Sequence, residues 1–260
     1  PTQLAVQLSN GDGTFQPRIL NAGISAVGPA ITDLDGDGHV DVLAGWSDAW
    51  GDFTSTFEWR CVGLGDGAGH FATAVHPSSG KPWGNWLLAD MDEDGRLDLA
   101  GRACVVRGHG DGTFGVVHDL SAPRNVGTVS LGDLNGDGRP DISAAGGNCE
   151  YFGQAGLDAR LVGAGGVPGA AWSQVNGALR CARGSAPLDF NADGRLDLAI
   201  SVQGASGLVL LPGNGDGTYG SSTLLVGPCM LDVASADLNG DSRPDLVGVG
   251  CSNVSVFVAL

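Results

Sequence analysis

The sequence predicts an all-β chain: a single β-propeller of five four-stranded antiparallel sheets spanning 1–260, with an Asp-rich loop in the first hairpin of each blade. Three observations predict it. One nonapeptide recurs five times at intervals of about fifty residues, the mark of an array of like supersecondary units. The stretch from the fifth copy through the C-terminus to the first is one more interval of similar size, so five units close on themselves. The 45 glycines and 12 prolines punctuate short apolar runs, which is how a chain of brief strands and tight turns reads.

The copies are DLDGDGHVD (33–41), DMDEDGRLD (90–98), DLNGDGRPD (133–141), DFNADGRLD (189–197) and DLNGDSRPD (237–245). Positions 1, 3, 5 and 9 carry a side-chain oxygen in every copy: Asp33, Asp35, Asp37 and Asp41; Asp90, Asp92, Asp94 and Asp98; Asp133, Asn135, Asp137 and Asp141; Asp189, Asn191, Asp193 and Asp197; Asp237, Asn239, Asp241 and Asp245. Hard oxygens this dense repel one another unless a cation sits among them, and Ca²⁺ takes about six to eight such ligands. The backbone carbonyls at position 7 (His39, Arg96, Arg139, Arg195 and Arg243) and water complete the expected shell. An EF-hand needs a bidentate Glu at position 12. Here that place holds Ala44, Gly101, Ala144, Ile200 and Gly248, which excludes it. One calcium per loop, about five in all, is therefore expected. The fifth should bind most weakly, because Ser242 replaces the position-6 glycine of the tight turn.

Within a unit the Asp-rich segment joins two apolar runs, such as 86–89 and 97–100, and is thus a hairpin turn. Apolar residues at position 2 (Leu34, Met91, Leu134, Phe190, Leu238) and position 10 (Val42, Leu99, Ile142, Leu198, Leu246) are expected to pack between sheets. A second motif follows each loop: NGDGTF (10–15), GDGAGHF (65–71), GHGDGTF (108–114) and GNGDGTY (213–219), turns that join a third strand to a fourth. The third unit lacks a clean copy, and its turn is expected at 153–158. The last blade is expected to combine 231–236 and 245–249 with the N-terminal runs LAVQL and FQPRIL. The run 254–260 competes with LAVQL for its third place.

The pattern DxDGDGxxD, then an apolar strand, then GDGTF resembles the FG-GAP/VCBS repeat of integrin α chains and integrin-like fungal lectins. That resemblance implies a calcium-binding β-propeller using side chains at positions 1, 3, 5 and 9 and the carbonyl at position 7. It departs from the integrin type in having five units, not seven.

Both turn motifs connect strands at one end of a blade, so the remaining loops belong to the other end. Trp46, Trp50, Trp83, Trp86 and Trp172 are expected on those loops as candidate ligand-binding plates, since an indole offers a rigid apolar surface with a polar handle. The six cysteines form no CxxC pair, which favours disulfides made outside the cytosol. Cys229 with Cys251 is the leading pair, facing across one hairpin, and Cys149 with Cys181 and Cys61 with Cys104 are plausible links.

A net charge of −16 argues against nucleic acid as partner, and no run approaches the roughly 18 apolar residues of a membrane span. No GxSxG, HExxH or catalytic cysteine motif is present, so no enzyme is expected. A leader, already removed or outside this sequence, is consistent with Pro1 as first residue. The expected protein is a secreted, non-catalytic recognition module that binds an extracellular glycan. The alternatives are an integrin-type protein–protein adhesion domain, or the accessory propeller of a secreted polysaccharide-degrading enzyme.

Overall fold

The computed structural model describes residues 4–21, 27–46, 58–74, 86–101, 104–120, 127–146, 155–203, 207–225, 229–250 and 254–257. Apart from one 3-10 turn at Gly177–Leu179, every regular element among them is a β-strand. The chain divides into two compact units. The first comprises Pro1–Trp83, Gly95–Leu99 and Ala103–Asp119, and the second Gly84–Asp94, Ala100–Arg102 and Leu120–Leu260.

In the first unit β1 (Leu4–Val6) and β2 (Ile19–Asn21) pair with each other. A four-stranded antiparallel sheet follows in chain order, from β3 (Val27–Thr32) through β4 (Asp41–Trp46) and β5 (Glu58–Gly65) to β6 (Phe71–Ala74). The next sheet holds β7 (Trp86–Ala89), β8 (Asp98–Gly101), β9 (Cys104–Gly108) and β10 (Phe114–Asp119), again in chain order. Of these, β9 and β10 lie in the first unit and β7 in the second.

The second unit continues the pattern. Its first full sheet is β11 (Thr128–Gly132), β12 (Asp141–Gly146), β13 (Gly156–Arg160) and β16 (Trp172–Val175), with a small ribbon of β14 (Val162–Gly163) and β15 (Val167–Pro168) set between the last two. The next is β17 (Ala182–Leu188), β18 (Asp197–Val202), β19 (Gly207–Leu211) and β20 (Thr223–Leu225). The last has three strands, β21 (Met230–Ala236), β22 (Asp245–Gly250) and β23 (Val254–Phe257).

Burial explains why the middle strands read as continuous apolar runs. Every residue of β18 is buried, yet successive side chains must point to opposite faces. Leu198, Ile200 and Val202 join Val209 and Leu211 in a cluster with Leu157 and Ala159 of the preceding sheet and Leu134 of its Asp-rich loop. Ala199, with Leu208 and Leu210, packs instead on Met230, Val233 and Leu246 of the following one. A sheet covered on both faces needs no polar alternation. Truncating Leu198 or Leu211 should cost about 2–5 kcal/mol.

Four expectations need correction. The residues 153–158 are not the third unit's turn: 156–160 is β13, paired with β12 and β16, and the connection runs through 161–171. In the last sheet Val254–Phe257 takes the third place beside β22, while LAVQL pairs with the second N-terminal run. Position 10 is buried in all five repeats, but position 2 is not uniform, since Leu238 is 50% exposed and Phe190 only partly buried. Trp46 and Trp172 lie in β4 and β16, not on loops, because each continues a strand pairing the local sequence does not reveal, and Trp86 opens β7, in the run 86–89 read as a strand from the sequence.

Candidate metal centres

Each Asp-rich segment is wound by its own side chains. The position-1 carboxylate accepts from backbone N–H groups at positions 4 and 6: Gly36 (2.7 Å) and Gly38 (3.0 Å) donate to Asp33, Gly136 (2.7 Å) and Gly138 (2.8 Å) to Asp133, and Gly240 (2.7 Å) and Ser242 (2.9 Å) to Asp237. Position 3 then accepts from the position-5 N–H, as in Asn191 with Asp193 (2.9 Å), and position 5 from the position-7 N–H, as in Asp37 with His39 (2.7 Å). Winding of this kind turns both positions 4 and 6 left-handed. Sequence reasoning singled out only position 6. Position 4 is equally left-handed, with Glu93 at φ 64° and Ala192 at 57°, and Ser242 adopts 67° at position 6.

Curling brings the oxygens together. Carboxylate oxygens of Asp33, Asp35 and Asp37 lie within 4.8 Å of one another. Lost hydration holds the Asp35 carboxyl above the ordinary carboxylate range, opposed by the Asp37 N–H and reinforced by the charges of Asp37, Asp41 and Asp33. Such a donor set, all hard oxygen and short of positive charge, fits a divalent cation of the calcium type.

Position 9 does something further. Asp41, Asp98, Asp141, Asp197 and Asp245 are almost completely buried. One oxygen accepts the position-2 N–H: Leu34 to Asp41 (2.7 Å), Leu134 to Asp141 (2.9 Å), Phe190 to Asp197 (3.1 Å) and Leu238 to Asp245 (2.9 Å). The other accepts an N–H at or just past the end of the third strand: Gly65 to Asp41, Gly108 to Asp98, Val162 to Asp141 and Gly213 to Asp197, at 2.7–2.8 Å. These carboxylates therefore staple loop to sheet whether or not they also touch a metal. Burial raises the Asp141 and Asp197 carboxyls, against the pull of these same N–H groups.

The GDG turns latch themselves. Asp12, Asp111 and Asp216 accept from both the N–H and the hydroxyl of the threonine two residues on, and these bonds hold their carboxyls below the ordinary range. Asp66 accepts from the Ala68 and His70 N–H groups and from the His70 ring. The first glycine of the turn seats the position-7 side chain: a Cβ at Gly67 would meet the His39 ring at 2.5 Å, at Gly110 the Arg96 chain at 3.0 Å and at Gly215 the Arg195 chain at 3.1 Å. The threonine was the legible signal for the latch. Nothing local marked the seat.

Of the tryptophans, Trp172 is partly buried with its ring centroid 6.0 Å from that of Tyr219, and the face of Trp86 covers Gly101. Both pack the sheets. The Trp46 side chain, Trp50 and Trp83 lie outside the described residues. The sulfurs of Cys181 and Cys229 are engaged in disulfides, while the expected partners Cys149 and Cys251 lie outside the described residues. Cys104 is a buried thiol, so the expected link to Cys61 is not formed. The two stand in different sheets, Cys104 opposite Asp119 and Cys61 opposite Ala44.

Residues 1–44 and 189–248 match the family model of the FG-GAP-like repeat. No match was found among curated proteins. Among solved structures the chain is similar to an Agrocybe aegerita lectin described by its specific recognition of non-reducing terminal N-acetylglucosamine, at 23% identity and TM-score 0.64 over 98% of this chain and 71% of that one. It is also similar to the Photorhabdus luminescens Tc holotoxin pore (18% identity, 99% of this chain, 12% of that one, TM-score 0.44). A third similarity is to the V. cholerae biofilm matrix protein Bap1 (17%, 95%, 34%, 0.38). The lectin likeness is one of fold.

Proposed function

We propose that this chain, with FG-GAP-like repeats at both ends, is a non-catalytic extracellular module that recognises a glycan on a calcium-stabilised scaffold. The observation that carries the reading is the shared fold with a lectin over nearly the whole chain. In this reading the five repeats form one five-bladed propeller over 1–260. Cys149–Cys181 and Cys229–Cys251 close as disulfides, in keeping with secretion.

Calcium would be held by the side chains at positions 1, 3 and 5 of each loop, with position 9 where it reaches, and by the position-7 carbonyl. When bound it neutralises crowded carboxylates. The chain's own part is to pre-wind each loop through the position-1 carboxylate and to hold it on the sheet through position 9. In this reading glycan contact falls to Trp50 and Trp83, whose indoles suit the apolar face of a sugar ring.

A glycan array that includes terminal N-acetylglucosamine, probed with and without calcium, tests the assignment. Retention of a defined glycan set is expected, weakened by about 1–3 kcal/mol in Trp50→Ala or Trp83→Ala with little change in melting temperature. Absence of binding to any glycan at millimolar calcium would reject a lectin role.

A further inference from the structure

The third repeat departs from its neighbours at one point. The position-9 carboxylate of each of the first four repeats grips a backbone N–H at the end of the third strand, and two residues beyond that amide the first, second and fourth repeats place a glycine: Gly67 after Gly65, Gly110 after Gly108, Gly215 after Gly213. These glycines are the seats of His39, Arg96 and Arg195. In the third repeat the gripped amide is Val162, and the equivalent seat is Ala164, in the turn of the ribbon that replaces the GDG motif.

Arg139, with no glycine at that place, turns onto its own loop. Its Nη2 donates to Asp137 Oδ2 at 2.6 Å, its Nε to the Val162 carbonyl at 3.2 Å, and its Nη1 lies 3.8 Å from Glu93 Oε2 of the second loop. Asp137 already spends Oδ1 on the Arg139 N–H, so Oδ2 is the oxygen left for a cation, and Asn135 Nδ2 donates to it as well at 2.9 Å. In the first and fourth loops Asp37 and Asp193 likewise spend Oδ1 on the position-7 N–H, but their Oδ2 receives no hydrogen bond among the described residues. Electrostatics follow the geometry. The Asn135 amide first, then the Arg139 N–H and guanidinium, hold Asp137 below the ordinary carboxylate range.

We propose that Arg139 is a built-in competitor for the third loop's cation, so that this loop is a conditional calcium site in which the guanidinium and the metal exchange for Asp137 Oδ2. Glu93 is placed to receive the displaced guanidinium, which couples occupancy of the third loop to the second. The proposal rests on the calcium reading above.

Calcium titration calorimetry on the intact chain, after chelator treatment, tests it. Arg139→Gln keeps the position-7 backbone and removes the charge. It should tighten one site by about fivefold, the scale of a partly exposed ion pair. The same variant should melt lower than wild type in chelator, where the ion pair is lost, and gain more from added calcium. Arg139→Lys, which keeps a charge without the planar fork, should tighten the site less and guards against loss of fold in the glutamine variant. Unchanged or weaker binding in both variants overturns the proposal, as does an equal gain from Arg195→Gln, whose guanidinium does not lie on its own loop. If wild type binds no calcium, the underlying reading fails, and this proposal with it. If wild type binds but the Arg139 variants match it, only the competitor role falls.

Discussion

Two residues in each Asp-rich loop are left-handed, and the chain meets that demand unequally. A Cβ at Gly38, Gly138 or Gly194 would meet no atom within 4 Å, so glycine at position 6 is needed for its dihedral alone. Ser242, at φ 67°, therefore carries backbone strain without a clash. Ser242→Gly should stabilise the calcium-free protein by about 1 kcal/mol in chemical denaturation, and Ala192→Gly by a similar amount. The second glycine of a GDG turn is different. At Gly217, φ is 84° and a Cβ would lie 2.6 Å from Leu161 Cδ2, so Gly217→Ala should cost about 2–4 kcal/mol. Tyr219 stands where the other GDG turns place phenylalanine, and its hydroxyl meets Ser143 Oγ at 2.7 Å in the core. Burial pushes the phenol up to about 12, so it stays neutral wherever the fold survives. Tyr219→Phe should cost about 1–2 kcal/mol by leaving Ser143 unsatisfied, and adding Ser143→Ala should recover part of that loss.

At the level of hairpins, the Asp-rich repeat and the GDG motif announced most of the turns, because both encode their geometry in consecutive residues. Registers that depend on distant partners were hidden. The third unit's ribbon contains no DG pair, its span being fixed by Trp172 meeting Ala159. The dual use of position 9 was hidden for the same reason, since its second partner lies 10 to 24 residues away. That use separates two roles by experiment. Asp197→Asn leaves one carbonyl oxygen for the two N–H groups of Phe190 and Gly213, so it should lower stability by about 1–2 kcal/mol even in chelator. A residue acting only on calcium would show no loss there. The GDG latches give a pH signature. Asp216 titrates lower in the folded chain than in the unfolded one, so its contribution is present above the unfolded pKa and is lost as pH falls through the folded value. Asp216→Asn keeps the hydrogen-bond acceptor but not the charge, and should flatten the fall in stability below about pH 4.

Over the whole chain the charge is −16, and the Asp-rich loops hold more than half of its 29 acidic residues. Without calcium these carboxylates repel at close range. Raising salt from about 0.01 to 0.15 M shortens the screening length from roughly 30 to 8 Å. The melting temperature of the chelated protein should therefore rise with salt, and that of the calcium-loaded protein much less; equal responses would mean that the loops are not where the repulsion lies. The five-fold repetition was legible because it is written in sequence, whereas the burial of β18 on both faces emerged only from the packing of successive sheets. The grip of the first four position-9 carboxylates on one third-strand amide each has one more consequence. The third repeat carries the ribbon directly after that amide, Val162, with Asp141 still bonded to both of its partners, although in the other repeats the next residues seat the position-7 side chain. Gly65, Gly108 and Gly213 are thus natural grafting points, where a foreign binding loop could be spliced in while the sheet that displays it keeps its register.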